Sequence, residues 1–172
     1  MKAFTKVKEV VDKVLNLFCI ALMGIMTVLV VYQVAARFVG HPSAITERTS
    51  QYLFVFSVMF GTALMFGENG HLEITTIKDK LGAKPYNIVV ILANLTLIAF
   101  SALVLVYGGA AYAINQWGVV DAALQISMGL IMTSVPICGV LMVFYGIYNT
   151  AVAIQEYKAN RRPGVEVSNG TL

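Results

Sequence analysis

The side chains in this chain most able to ligate a metal or attack an electrophile are two cysteines and two histidines, and their placement argues against both chemistries. Cys19 and Cys138 each lie in the middle of an apolar run, with no CxxC pairing and no histidine nearby, so they read as buried, inert thiols. His41 and His71 fall in loops on opposite sides of a membrane by the topology the charges dictate, so they cannot share a metal. No Gly-rich phosphate loop, triad spacing or carboxylate pair is present. The expectation is a protein that is not an enzyme and carries no cofactor and no metal.

The remaining polar groups invite a different chemistry, that of contact. No long apolar run contains an Asp, Glu, Lys, Arg or His in its interior. An intramembrane charge costs about 2.5–3.5 kcal/mol on insertion scales and marks a transport path or relay. Only Asn94, Thr96, Ser101, Thr133, Ser134 and Asn149 could line a path, and Asn94 and Asn149 are expected to hydrogen-bond across helices at about 1 kcal/mol each. Gly109 with Ala113, and Gly139 with Gly146, are spaced to let helices approach closely, either within this chain or against a partner. Arg37 closes the first apolar run, and Glu47 with Arg48 opens the second after a short Pro-containing loop. Thr46 is positioned to cap the helix, and Glu47 falls where a helix dipole favours a carboxylate. These three charges read equally as snorkelling and capping groups or as ion pairs to another membrane subunit.

The elements that must hold these residues follow from composition. The chain has 172 residues, 58% hydrophobic and 12% charged, against about 45–50% and about 25% in an ordinary soluble domain. A mean hydropathy of +0.77 exceeds what one soluble core can hide, so the surplus faces acyl chains. Four uncharged runs, at 14–36, 50–67, 86–112 and 127–153, are each long enough to cross a hydrocarbon core about 30 Å thick, tilt permitting. The first is too long for a signal-peptide core of about 7–15 residues. The fold class is therefore an all-α integral membrane protein with four transmembrane helices. Residues 1–160 form the membrane domain, and 161–172, rich in Gly, Ser, Asn and Thr, form a cytoplasmic tail without order.

Basic residues next to spans stay on the cytoplasmic side. Lys2, Lys6, Lys8 and Lys13 precede the first span, Lys78, Lys80 and Lys84 separate the second from the third, and Lys158, Arg161 and Arg162 follow the fourth. The opposite side receives only Arg37 and Arg48. Both termini are thus expected in the cytoplasm. Ile74, Ile77 and Leu81 recur at helical spacing beside Lys78, Asp79 and Lys80, which fits either a short interfacial helix or a plain polar turn. The N-terminal Phe4, Val7, Val10 and Val11 alternate with lysines and extend the first span as an amphipathic segment. Tyr86, Trp117, Tyr145 and Tyr148 suit contact with membrane lipids at the interface. The basic residues are not mixed with aromatics in a stripe, which argues against nucleic acid.

Glu47, the pair Phe54 and Phe56, Phe60-Gly61, and Gly70-His71-Leu72 opening a mixed-charge loop together resemble the small membrane subunit of tripartite ATP-independent periplasmic (TRAP) transporters. The resemblance covers nearly the whole chain. Ile45 stands where that family commonly has Trp, and Arg48 where it has a second acid. The resemblance implies a large multi-span membrane subunit that carries substrate and sodium sites and moves as an elevator. It further implies a periplasmic binding protein that delivers an organic acid, such as sialic acid or a C4-dicarboxylate, to the outer face. This chain would be the static scaffold in the bacterial inner membrane. Arg37, Glu47, Arg48, Gly61, His71, Gly109 and Ala113 become candidates for the subunit interface or docking surface, with the loop from Trp117 to Gln125 facing the binding protein. The competing expectation is a self-sufficient homo-oligomeric transporter or channel, and a four-helix redox enzyme lacks the cysteine or histidine pairs it would need.

Overall fold

The computed structural model describes residues 2–67 and 83–158 of the chain. His71, the segment with Ile74, Ile77 and Leu81, and the tail 161–172 lie outside the described residues. The helices are α1 (Lys2–Phe38), α2 (Ala44–Gly67), α3 (Ala83–Phe100), a π-helical segment (Ser101–Gly108), α4 (Gly109–Asn115), α5 (Met128–Met132) and α6 (Ser134–Lys158). They make four stretches long and apolar enough to cross a membrane: Thr5–Phe38, Ala44–Gly67, Asn87–Asn115 and Met128–Gln155. The four-helix membrane architecture expected from hydropathy is therefore present.

Proline placement explains where helices start. Pro42 precedes α2, while Pro85 and Pro136 lie in the first turns of α3 and α6, where a missing N–H is harmless. Pro136 leaves the carbonyl of Met132 without its usual donor, and the fourth span is interrupted at Thr133, between α5 and α6. The second span starts at Ala44 rather than at residue 50, because Glu47 and Arg48 sit within the first turns of α2. Thr46 is consequently not its cap: its Oγ1 donates to the carbonyl of Ser43 from inside the helix, 2.9 Å away.

The spans lie side by side in the order α1, α2, α6, α3, and the first and third share no substantial contact. α6 is the central element. Its glycines bring the third span close: a Cβ at Gly139 would lie 2.7 Å from Leu105 Cβ, and one at Gly146 would lie 2.5 Å from Ile98 Cγ1. As the chain advances from 139 to 146, its neighbours recede from 105 to 98, so the two spans run antiparallel. Gly109 lies under Val135 and Pro136 in the same way. On the other flank, Leu15, Ala63, Phe66, Cys138, Met142 and Tyr145 form the buried core between α1, α2 and α6. The Cys138 thiol donates to the Met59 carbonyl.

α1 faces this core along a single stripe that includes Lys8, Asp12, Leu15 and Leu22, while Val7, Val10 and Val14 look outward. Lys8 and Asp12 thus sit on the inward face beside Val11, while Lys6, Glu9 and Lys13 are exposed. Tyr145 supplies the reason. It is fully buried rather than at a lipid interface, with its ring over Gly67, and its hydroxyl donates to Asp12 Oδ1 at 2.6 Å. Lys8 pairs with Asp12 Oδ2 at 2.7 Å and lies 5.6 Å from the Tyr148 ring centroid. These contacts bring the start of α1 and the C-terminal half of α6 to the same end of the molecule.

Of the two asparagines expected to bridge helices, Asn149 does so, donating from Nδ2 to the Phe66 carbonyl at 3.1 Å. Asn94 does not. It is fully buried with neither amide atom hydrogen-bonded.

Replacing Gly139 or Gly146 by Val overpacks the antiparallel seam, at a cost of about 1–3 kcal/mol. Thermal unfolding in detergent should show both variants melting below the parent, whereas Gly61→Ala, whose Cβ meets nothing within 4 Å, should melt with it.

Candidate functional site

The charged rim where α1 hands over to α2 is built by a backbone device. His41 N–H bonds the Ala36 carbonyl and Gly40 N–H bonds that of Arg37, a Schellman closure that needs a left-handed residue. Gly40, at φ 82°, supplies it. The chain turns sharply after Phe38, and Arg37 is left in the last turn of α1, where a cation suits the helix dipole.

Below the turn, Gln33 locks the two helices together. Its Nε2 donates to the Thr46 carbonyl at 2.8 Å and to Ser50 Oγ at 2.7 Å, and Ser50 Oγ in turn donates to the Glu47 carbonyl. Sequence reading missed Gln33, since a lone glutamine near a span end carries no periodic signal. Arg37 and Glu47 are exposed, and among the described residues neither side chain makes a hydrogen bond or ion pair.

Arg48 is committed differently. One guanidinium nitrogen donates to Gln51 Oε1 at 3.1 Å, and Nε lies 3.8 Å from Asp121 Oδ2. Asp121 belongs to the connection between α4 and α5, which folds as a tight hairpin. Val120 and Ser127 pair as a single antiparallel bridge, Met128 N–H bonds the Val119 carbonyl, and Ser127 Oγ donates to the Trp117 carbonyl. Asp121 Oδ1 accepts the N–H groups of Ala123 at 2.8 Å and Leu124 at 3.0 Å, and Oδ2 accepts the Tyr52 hydroxyl at 2.5 Å. The carboxylate is only 3% exposed. These bonds, led by that from Tyr52 and aided by the Arg48 charge, hold the Asp121 carboxyl below the usual range against the opposing effect of burial. Sequence reading took this loop as lacking basic residues and as facing the binding protein, without singling out Asp121. Its single acid was the available signal, but nothing linear joins it to Tyr52.

The other candidates separate. Gly61 points away from the chain, with no atom within 4 Å of where a Cβ would be. Gly109 and Ala113 are covered within the chain, the first by Val135 and Pro136, the second beside Gly129. His71 lies outside the described residues. Among the described residues no group of three or more His, Cys, Asp or Glu could hold a metal. What this end of the molecule offers is a rim with a free cation at Arg37 and a free anion at Glu47, beside a stiffened hairpin that exposes Trp117, Val119 and Val120.

Residues 26–156 match the family described as tripartite ATP-independent periplasmic transporters, DctQ component. A protein of Haemophilus influenzae assigned to the TRAP transporter small permeases is 37% identical over 73 residues, 41% of this chain and 45% of that protein. The chain thus aligns with less than half of that relative's length. The sialic acid TRAP transporter small permease protein SiaQ of Vibrio cholerae is 24% identical over 139 residues, 80% of this chain and 79% of that one.

Because the folded-state pKa of Asp121 lies below its unfolded value, its contribution is present above about pH 4, the ordinary aspartate range, and is lost as pH falls through the depressed value. Emission from Trp117, the chain's single tryptophan, should therefore stay constant from pH 7 to about pH 4 and shift only below it. Asp121→Ala should show the shifted emission at pH 7 and faster hydrogen exchange at Ala123 and Leu124.

Proposed function

We propose a scaffold role from one established premise: the chain belongs to the DctQ component family of the tripartite ATP-independent periplasmic (TRAP) transporters. The family and the four spans make it a multi-pass protein of the bacterial inner membrane, and its family consists of transporters rather than enzymes. TRAP small permeases work with a large permease and a periplasmic binding protein. On our reading this chain anchors a large, sodium-driven, elevator-type subunit. The binding protein delivers an organic acid to the outer face, and the name of the Vibrio cholerae relative makes sialic acid the first substrate to try.

The observation that carries this reading is the one-sided packing of α1. Only 11% of its most apolar stretch is buried within the chain, against 39% for the fourth span. A helix that is apolar all round and touches its own chain along one stripe has most of its surface left for lipid and another subunit. Gly61 adds an outward notch on α2 where a partner helix could approach. Arg37, Glu47 and Arg48, with the hairpin held by Asp121, form the docking rim in this proposal. Gly109 and Ala113 support that rim from inside, and His71 remains a candidate contact.

A self-sufficient pore finds less support. Thr96 and Thr133 donate to carbonyls of their own helices, at Leu92 and Gly129. Asn94, Ser101, Ser134 and Asn149 are buried where helices pack.

The chain, tagged and gently extracted from its native membrane, should bring down one large multi-span protein in equimolar amount. Recovery of the chain alone as a homo-oligomer would sink the scaffold reading and call for transport assays on the purified chain. Gly61→Leu should lower recovery of the large protein several-fold while leaving the melting temperature of the chain unchanged.

A further inference from the structure

Two asparagines within the membrane-spanning part of the fold carry amide atoms that no other group of the chain engages. Asn94 is fully buried with neither Nδ2 nor Oδ1 hydrogen-bonded, and Asn149 is buried with Oδ1 unbonded. The Asn149 amide is fixed in orientation, because only Nδ2 can donate to the Phe66 carbonyl, and Oδ1 is left as an acceptor turned elsewhere. Asn94 lies a rise of about 10 Å beyond Asn87, where the third span begins. Neither bulk water nor lipid touches these atoms.

Helix packing sets the two amides at one level. A Cβ at Gly146 would lie 2.5 Å from Ile98 Cγ1 and 3.5 Å from the Phe66 ring, so α2, α3 and α6 converge at that glycine. From there Asn149 is one turn further along α6, and Asn94 is one turn back along α3. The two spans run antiparallel, so both steps lead the same way, and both side chains stand on the faces that meet. Phe66 marks the same level from α2, since its ring reaches Gly146 and its carbonyl takes the Asn149 amide. The two amides nevertheless make no hydrogen bond to each other. In hydrocarbon an unmade bond of this kind is not recovered from the solvent.

We propose that one buried water molecule bridges Asn94 and Asn149 at this three-helix junction. The water accepts from Asn94 Nδ2, donates one proton to Asn94 Oδ1 and donates the other to Asn149 Oδ1. Three hydrogen bonds are the usual complement of a buried water, and here they engage all three orphaned amide atoms. The chemistry of the site selects this occupant. An anion would be repelled by two carbonyl oxygens, a cation would leave Nδ2 unengaged, and an apolar group would satisfy none of the three. The water ties α3 to α6, and through the Phe66 carbonyl to α2, at a depth where the helices otherwise rely on packing. It needs only the four-span fold and stands whether or not the scaffold reading holds.

Radiolytic footprinting tests it on the full chain, extracted with whatever it assembles with. X-rays turn a bound water into a hydroxyl radical in place, and the radical oxidises the side chains around it. Phe66 and Ile98 line the junction and should be oxidised in the parent. Asn94→Leu, which removes the donor and one acceptor, should cut that oxidation several-fold and leave the exposed Tyr107 and Trp117 oxidised as before. An electron-microscopic map of the parent, fine enough to show ordered water, should hold one isolated peak within bonding distance of both Asn94 and Asn149. The map needs no variant, so it decides the matter even if Asn94→Leu fails to fold. Oxidation of Phe66 and Ile98 that is absent in the parent or unchanged in Asn94→Leu overturns the proposal. So does a junction without the peak, or one in which the two amides bond each other directly.

Discussion

A hydrocarbon interior offers no hydrogen-bond partner, and nearly every feature of this molecule follows from that. The spans are helices because only a helix satisfies its backbone within one segment. Six threonine hydroxyls obey the same rule: Thr27, Thr49, Thr62, Thr96, Thr133 and Thr150 each donate to the carbonyl four residues back on their own helix. Where two helices are drawn together, the means is the removal of bulk more than the addition of polar glue. Gly139 and Gly146 bring α6 against the third span, Gly109 admits Pro136, and Gly67 admits the Tyr145 ring. The irregular stretches lie side by side for this reason. The π-helical segment and Gly109 on one span face the interrupted start of the other.

Among the described residues, polar side-chain contacts between spans lie mostly at the two ends, the Cys138 thiol on the Met59 carbonyl being nearer the middle. At one end Asp12, Lys8 and Tyr145 tie α1 to α6. At the other, Gln33 ties α1 to α2, and Tyr52 ties α2 to the hairpin through Asp121. Charges placed there avoid the cost of the bilayer centre and still fix the relative height of the helices. Packing dominates the middle of each span, and the polar ties of α1 to its neighbours lie near its two ends.

This division bears on function. The scaffold role proposed above calls for helices that do not slide and an outward surface that other molecules can cover. The end ties supply the first requirement, and the side-by-side order of the spans, with α1 packed along one stripe, supplies the second. The rim at the α1–α2 turn is stiff where Asp121 gathers two backbone N–H groups and a tyrosine hydroxyl, and it is open where Arg37 and Glu47 stand unengaged among the described residues.

Hydropathy and the positions of Lys and Arg were enough to read four spans from the sequence, because length and transfer cost are properties of a segment by itself. The motif around Glu47, Gly61 and His71 was likewise enough to reach the family, since it is local. What the linear order could not carry was pairing. Gly109 and Gly61 look alike in sequence, yet one is covered by Pro136 and the other faces outward. Arg37 and Arg48 look alike too, yet only the second meets Asp121, 73 residues further along the chain. Tyr145 has the composition of an interfacial residue and is the most buried aromatic in the core. Each of these distinctions depends on which helix lies beside which. In a membrane that choice is made by close packing between surfaces of nearly equal hydrophobicity, so it emerges only when the helices assemble.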